Sequence, residues 1–68
     1  MVEKTLFISG TSRDVLAARA VLSTLSGIAA VDPLPDGHTL HLHKSRRLTD
    51  IAVLTALERA GVSGASIL

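Results

Sequence analysis

Two histidines on one predicted strand are the residues of this chain best suited to chemistry. His41 and His43 are separated only by Leu42, and residues two apart on a strand project from the same face of the sheet. Two imidazoles on one face can bind a Zn(II), Ni(II) or Cu(II) ion, because imidazole is a preferred ligand of these metals. His38 and Asp36, beside a predicted turn, are further candidate ligands, although His38 has the opposite strand parity. The sequence thus predicts a metal site at His41, His43 and His38, against the plainer interpretation of a solvated polar face.

A second candidate position is the loop after the first predicted strand, and it carries no sulfur. After Gly10 the chain reads Thr11, Ser12, Arg13 and Asp14, and the whole sequence contains no cysteine. Copper(I) and similar soft ions prefer thiolate ligands, so this loop is not expected to bind them tightly. Thr11 or Ser12 is expected to cap the following helix with Asp14 in its first turn, which explains these residues without a ligand.

Composition narrows the range of partners. The chain has 68 residues, a net charge of +1 and 47% hydrophobic residues, with Phe7 as its one aromatic. We expect a single domain over residues 1–68 with an aliphatic core. The small net charge does not favour nucleic acid or an anionic membrane as a partner. No apolar run approaches the roughly 20 residues that cross a bilayer, and the first residues lack the basic-then-apolar layout of a secretion signal. A cytoplasmic setting is therefore expected, either for the chain alone or for the chain as the cytoplasmic part of a membrane protein.

Hydrophobic periodicity predicts the elements that must position the histidines. Alternating and β-branched residues predict strands over residues 4–9, 28–31, 38–43 and 63–68, the third being the best defined. Two stretches with helical spacing lie between them, capped near Thr11 and Thr49 and ended by Gly27 and Gly61. Their predicted buried stripes are Val15, Ala18, Val21, Leu22 and Leu25 on the first helix and Val53, Leu54, Leu57 and Ala60 on the second.

Two segments are predicted to interrupt this pattern. Residues 32–37 contain two prolines and an Asp-Gly pair, so they are expected to end the second strand after Val31 and to place that strand at a sheet edge. Lys44, Arg46 and Arg47 form a charged connection before the second helix. Such a run could dock an acidic partner, although a solvated loop is its commoner meaning.

The order of elements predicts an α+β, ferredoxin-like βαββαβ fold. Two helices on one face of a four-stranded antiparallel sheet is the economical packing for this order, and it leaves the other face open. Phe7, His41 and His43 are expected to share that open face and to form an interaction face for another domain or a second copy. One aromatic without a basic patch is weak support for base stacking, so no nucleic-acid partner is predicted.

The sequence resembles the heavy-metal-associated domain, which occurs as small metallochaperones and in P-type metal-transporting ATPases. The matching stretches are Lys4-Thr5-Leu6 with Ile8 and Gly10, then Leu25-Ser26-Gly27-Ile28, and finally Glu58-Arg59-Ala60-Gly61-Val62. The family's most specific motif, Gly-Met-Thr-Cys followed by two residues and Cys, is missing. Depending on the alignment, its cysteine positions fall on Arg13 and Leu16 or on Thr11 and Asp14. The loop Thr11, Ser12, Arg13 and Asp14 is therefore interpreted as a degenerate metal loop.

The resemblance implies a domain of a heavy-metal transport system, N-terminal or accessory to a transporting ATPase, or a chaperone-like protein. With the thiolate site lost, it would either bind a divalent ion through histidines or dock on a neighbouring domain or protein partner. The alternative is a small-ligand regulatory or dimerisation module of the ACT type, which shares the element order. No nucleophile is paired with a base at a useful spacing, so no enzyme is predicted.

Overall fold

The computed structural model describes residues 1–68 and confirms the predicted ferredoxin-like architecture. The chain forms β1 (Val2–Ile8), α1 (Ser12–Thr24), β2 (Ile28–Pro33), β3 (Thr39–Lys44), α2 (Asp50–Arg59) and β4 (Ala65–Ile67). The four strands form one antiparallel sheet in the order β2-β3-β1-β4. The strand ends differ from the predicted ones by at most two residues. Neither helix has the length and apolar character needed to span a membrane.

Alternation along the two central strands separates the faces of the sheet. Leu6 pairs with Leu40 across β1 and β3, and both side chains are fully buried, as are Ile8 and Leu42. The helices cover this side of the sheet with residues of their own apolar stripes. The complete core comprises Leu6, Ile8, Val15, Ala18, Leu22, Leu40, Leu42, Val53, Leu57 and Val62.

Both helices begin, and α2 also ends, as their terminal residues dictate. Thr11 is the N-cap of α1, and the Asp14 carboxylate accepts a hydrogen bond from its backbone N–H at 2.9 Å. Thr49 caps α2, its hydroxyl accepting from the N–H of Ala52 at 3.1 Å. The chain leaves α2 at Gly61, whose φ of +85° is the left-handed conformation that glycine adopts readily. The predicted buried stripe of α2 is wrong at Ala60, which is the C-cap and is exposed.

The predicted end of β2 at Val31 is also wrong, because the strand continues to Pro33. Asp32 pairs with His41 and Pro33 with Leu40. Since β2 is an edge strand hydrogen-bonded only to β3, a residue without an N–H can be accommodated there. The edge position itself was predicted correctly, and the extra length brings Asp32 alongside the histidines.

Lys44 corrects the interpretation of the charged connection. Alternation places it on the helix-covered face with Leu42, and only 3% of its surface is exposed. Its ammonium donates to the backbone carbonyl of Leu48 and lies 3.5 Å from the Asp50 carboxylate, which is also 3.6 Å from the Lys4 ammonium. A buried charge requires such partners. Only the two arginines of the connection are therefore available at the surface.

Two leucines on α1 test the assignment of its buried face. Leu22 is fully buried, whereas Leu16 is 62% exposed on the same helix. We expect Leu22→Ala to lower the free energy of unfolding by about 2–5 kcal/mol through lost burial and a residual cavity. Leu16→Ala should change it by less than about 0.5 kcal/mol. Urea unfolding followed by circular dichroism measures both, and equal effects would contradict the assigned face.

Candidate metal centre

Three potential metal ligands converge on the open face of the sheet. Glu3 on β1 is directly opposite His43 on β3, and His41 lies on the same face two residues earlier. One oxygen of Glu3, Oε1, is 3.5 Å from Nδ1 of His43 and 3.8 Å from Nε2 of His41. The three ligand atoms all lie within 4.8 Å of one another. The structure thus brings together two of the three predicted histidines and adds a carboxylate.

The spacing of these atoms is close to that of a tetrahedral site. Bonds of 2.0–2.1 Å from zinc to nitrogen or oxygen place neighbouring ligand atoms about 3.3 Å apart. The separations from Glu3 exceed this value by a few tenths of an ångström, a difference that small side-chain rotations can remove. The three ligand atoms all lie within 4.8 Å of one another, so binding an ion would require the two imidazoles to turn toward Glu3.

The two imidazoles are accessible from solvent. Their side chains are 32% exposed for His41 and 28% for His43, and the rings meet edge to face with centroids 4.9 Å apart. One side of the cluster faces sheet and the other faces water. An ion held by three protein ligands would keep an open coordination position on the solvent side, which is typical of sites whose fourth ligand is exchangeable.

A second carboxylate approaches the cluster from β2, the other neighbour of β3. Asp32 Oδ2 on β2 lies 3.3 Å from Nε2 of His43. The His43 ring thus spans between Glu3 on one neighbouring strand and Asp32 on the other. Both acids were missed by sequence reasoning. The odd-numbered alternation that places Phe7 on the open face also places Glu3 there, whereas Asp32 gave no signal because its segment was interpreted as a turn.

His38 lies outside this group. It is exposed in the turn before β3, and its ring centroid is 6.3 Å from that of Phe7.

Phe7 is 37% exposed and pairs in register with Thr39 and Ser66 on the two neighbouring strands. The predicted interaction face of Phe7, His41 and His43 is thus a continuous side of the sheet.

Asp36, the other candidate ligand of the turn, has a structural role. Its carboxylate accepts the Thr39 hydroxyl at 2.5 Å and the backbone N–H groups of His38 and Thr39 at 2.9 Å each. These hydrogen bonds, the one from the Thr39 side chain first, lower the pKa of Asp36 because they favour its charged form. With these donors the carboxylate closes the β2–β3 connection.

The loop of residues 11–14, interpreted from the sequence as a degenerate metal loop, is likewise explained by helix capping. Thr11, Ser12 and Arg13 are exposed, and the Asp14 carboxylate folds back onto the N-cap. A side chain at Gly10 would collide with that carboxylate. The loop therefore packs against itself and presents no converging set of ligands.

The largest concavity lies elsewhere on the molecule. A groove of about 590 Å³ separates α1 from the β2 edge and is lined mainly by apolar residues, with Arg19 its one charged side chain. Its lining includes no histidine or carboxylate. The converging polar groups are thus on the flat open face, and the groove carries none of them.

Neither a scan against protein-family models nor a search of curated proteins finds a match to this sequence. What the site can do is therefore inferred from the geometry of its own residues.

The lowered pKa of Asp36 gives a pH-dependent prediction. A carboxylate with a depressed folded-state pKa stabilises the fold above the unfolded pKa, about 3.9, and this contribution is lost as the pH falls through the folded value. We expect Asp36→Ala to be less stable than the natural chain at neutral pH. The gap between their urea midpoints should narrow as the pH is lowered below about 4. A gap that stays constant down to the acid limit would contradict the assigned hydrogen bonds.

Proposed function

We propose that this protein is a domain of a heavy-metal transport system that binds a borderline divalent cation through Glu3, His41 and His43. The single observation that supports the proposal is the convergence of the three ligand atoms within 4.8 Å. The ferredoxin-like fold agrees with the resemblance to heavy-metal-associated domains. In this proposal the cation is cargo or signal.

The chemistry of the ligands selects the class of cation. Two imidazole nitrogens and one carboxylate oxygen suit Zn(II), Ni(II) and Cu(II), with Cu(II) expected to bind most tightly in the Irving–Williams order. Hard ions such as Mg²⁺ and Ca²⁺ require more oxygen ligands than the cluster offers. Cu(I) prefers sulfur, and the chain has no cysteine.

Exposure of the cluster fits a carrier better than a structural site. Structural zinc is usually enclosed by four protein ligands, whereas this face supplies three and leaves one position to solvent. An incoming ligand from a neighbouring domain could take that position before the cation leaves. We therefore place the site at a surface of transfer, either within a transporting ATPase or between a carrier and its target.

A second candidate function is docking without metal. Phe7 is the only aromatic residue of the chain, and it is exposed on the open face instead of being buried in the core. Aromatic residues are enriched where proteins meet, because they provide a large contact area. In this case the histidines and Phe7 would contact a neighbouring domain directly.

Titration with Zn(II) distinguishes these two functions. Binding to the folded state alone should add about 2.7 kcal/mol at a free zinc concentration 100 times Kd, which raises Tm by roughly 10–20 °C for a domain of this size. The side-chain NMR signals of His41 and His43 should shift with saturable one-to-one stoichiometry. No change in Tm or in the imidazole signals at micromolar Zn(II), Ni(II) or Cu(II) would overturn metal binding and favour docking.

Two histidine variants provide a matched comparison. His43→Ala removes a ligand and should abolish most of the thermal shift, whereas His38→Ala removes a histidine outside the group and should leave it unchanged. The affinity for Cu(I) should be the same in both variants as in the natural chain, because the cluster is not a Cu(I) site. An equal loss of zinc affinity in both variants would mean that the metal binds elsewhere or without specificity.

A further inference from the structure

We infer that Asp32 is the positioning residue of the metal centre, holding His43 in the tautomer whose proton is on Nε2 and whose Nδ1 is free to bind the metal. This inference rests on the proposed function. It assigns a role to a residue that is not itself one of the three ligands.

The direction of the His43 ring supports the assignment. In a neutral imidazole one nitrogen carries a proton and the other offers a lone pair. Nε2 faces Asp32 Oδ2 at 3.3 Å, and Nδ1 faces Glu3 Oε1 at 3.5 Å. Asp32 is the nearer of the two carboxylates in the metal-free protein, and Glu3 would be engaged as a ligand once a cation is bound, so in both states the ring proton is assigned to Nε2, facing Asp32. Metal-binding histidines commonly donate their second N–H to a carboxylate in this way, which fixes the ring and raises ligand basicity.

The register of β2 explains why Asp32 reaches this histidine. Asp32 is directly opposite His41, and His43 is its diagonal neighbour, a distance that longer side chains can bridge. The residue directly opposite His43 is Ala30, whose methyl group leaves space for the imidazole to lean toward β2. Asp32 can approach His43 because β2 continues beyond Val31.

The two histidines would consequently bind the same ion through different nitrogens. His41 approaches Glu3 with Nε2, and His43 approaches it with Nδ1. Asp32 thus breaks the equivalence of two imidazoles that the sequence presents as a simple alternating pair. The ring orientation is set before the metal arrives, which reduces the loss of side-chain freedom on binding.

Imidazole nitrogen NMR on the metal-free protein tests the tautomer directly, at a pH where the histidines are neutral. Long-range ¹H–¹⁵N correlation spectra should show the His43 proton on Nε2 in the natural chain and in Asp32→Asn, whose amide oxygen can still accept. In Asp32→Ala the preference should weaken toward a mixture. A proton on Nδ1 in the natural chain, or an unchanged His43 pattern in Asp32→Ala, would overturn the inference.

Zinc affinity gives the second measurement. Asp32→Ala should weaken Zn(II) binding about 10–100-fold, the usual cost of losing such a partner, and Asp32→Asn should recover part of that loss. Asp14→Ala is the control, because it removes the same charge at the capped end of α1 and should leave the affinity unchanged.

The outcomes separate the two proposals. If the natural chain binds no zinc, the proposed function fails. The tautomer experiment on the metal-free protein still tests whether Asp32 orients the His43 ring. If the natural chain binds zinc and Asp32→Ala binds it equally well, the inference about Asp32 fails and the three-ligand site stands. If Asp14→Ala weakens binding as much as Asp32→Ala, the effect is one of net charge and the inference also fails.

Discussion

The alternation of β3 is the constraint on which the rest of the structure depends. Because both helices pack on one side of the sheet, even-numbered residues such as Leu40 and Leu42 are fully buried, and His41 and His43 must face the other side. A slip of one residue would bury both imidazoles and expose both leucines. Each leucine contributes about 1.5–3 kcal/mol by burial, so the register that stabilises the domain also places the histidines at the surface.

The same alternation governs Lys44, and here it overrides the preference of a charged group for water. As the next even-numbered residue of β3, the lysine is on the helix-covered side of the sheet, where the Leu48 carbonyl accepts a hydrogen bond from its ammonium and the Asp50 carboxylate lies 3.5 Å away. Asp50 also begins α2. Its negative charge is therefore favourable both beside the ammonium and at the positive end of the helix. Lys44 consequently links the end of β3 to the beginning of α2, although the run of basic residues that it opens suggests a solvated loop.

Local rules were sufficient for the fold and for half of the candidate site. Turn glycines, caps and strand parity are short-range properties, and they predicted six elements, an edge position for β2 and a common face for His41 and His43. Glu3 and Asp32 could not be found in this way, because their approach to the histidines depends on the pairing of residues far apart in the chain. Asp32 was lost for an additional reason: Pro33 was expected to end the strand, and only an edge position tolerates it inside one.

The position of the candidate site on strands, and not on the loop after β1, has a physical consequence. In the loop, Asp14 is engaged with the N-cap of α1 and lies against Gly10, so its carboxylate is committed to folding. Side chains on paired strands are held by the sheet hydrogen bonds and by packing beneath them, which makes ligand positions more precise than a loop allows. Glu3, His41 and His43 occupy the two central strands of the sheet. A cation there would bridge β1 and β3, so its binding energy would add to the stability of the strand pair around which the core is built.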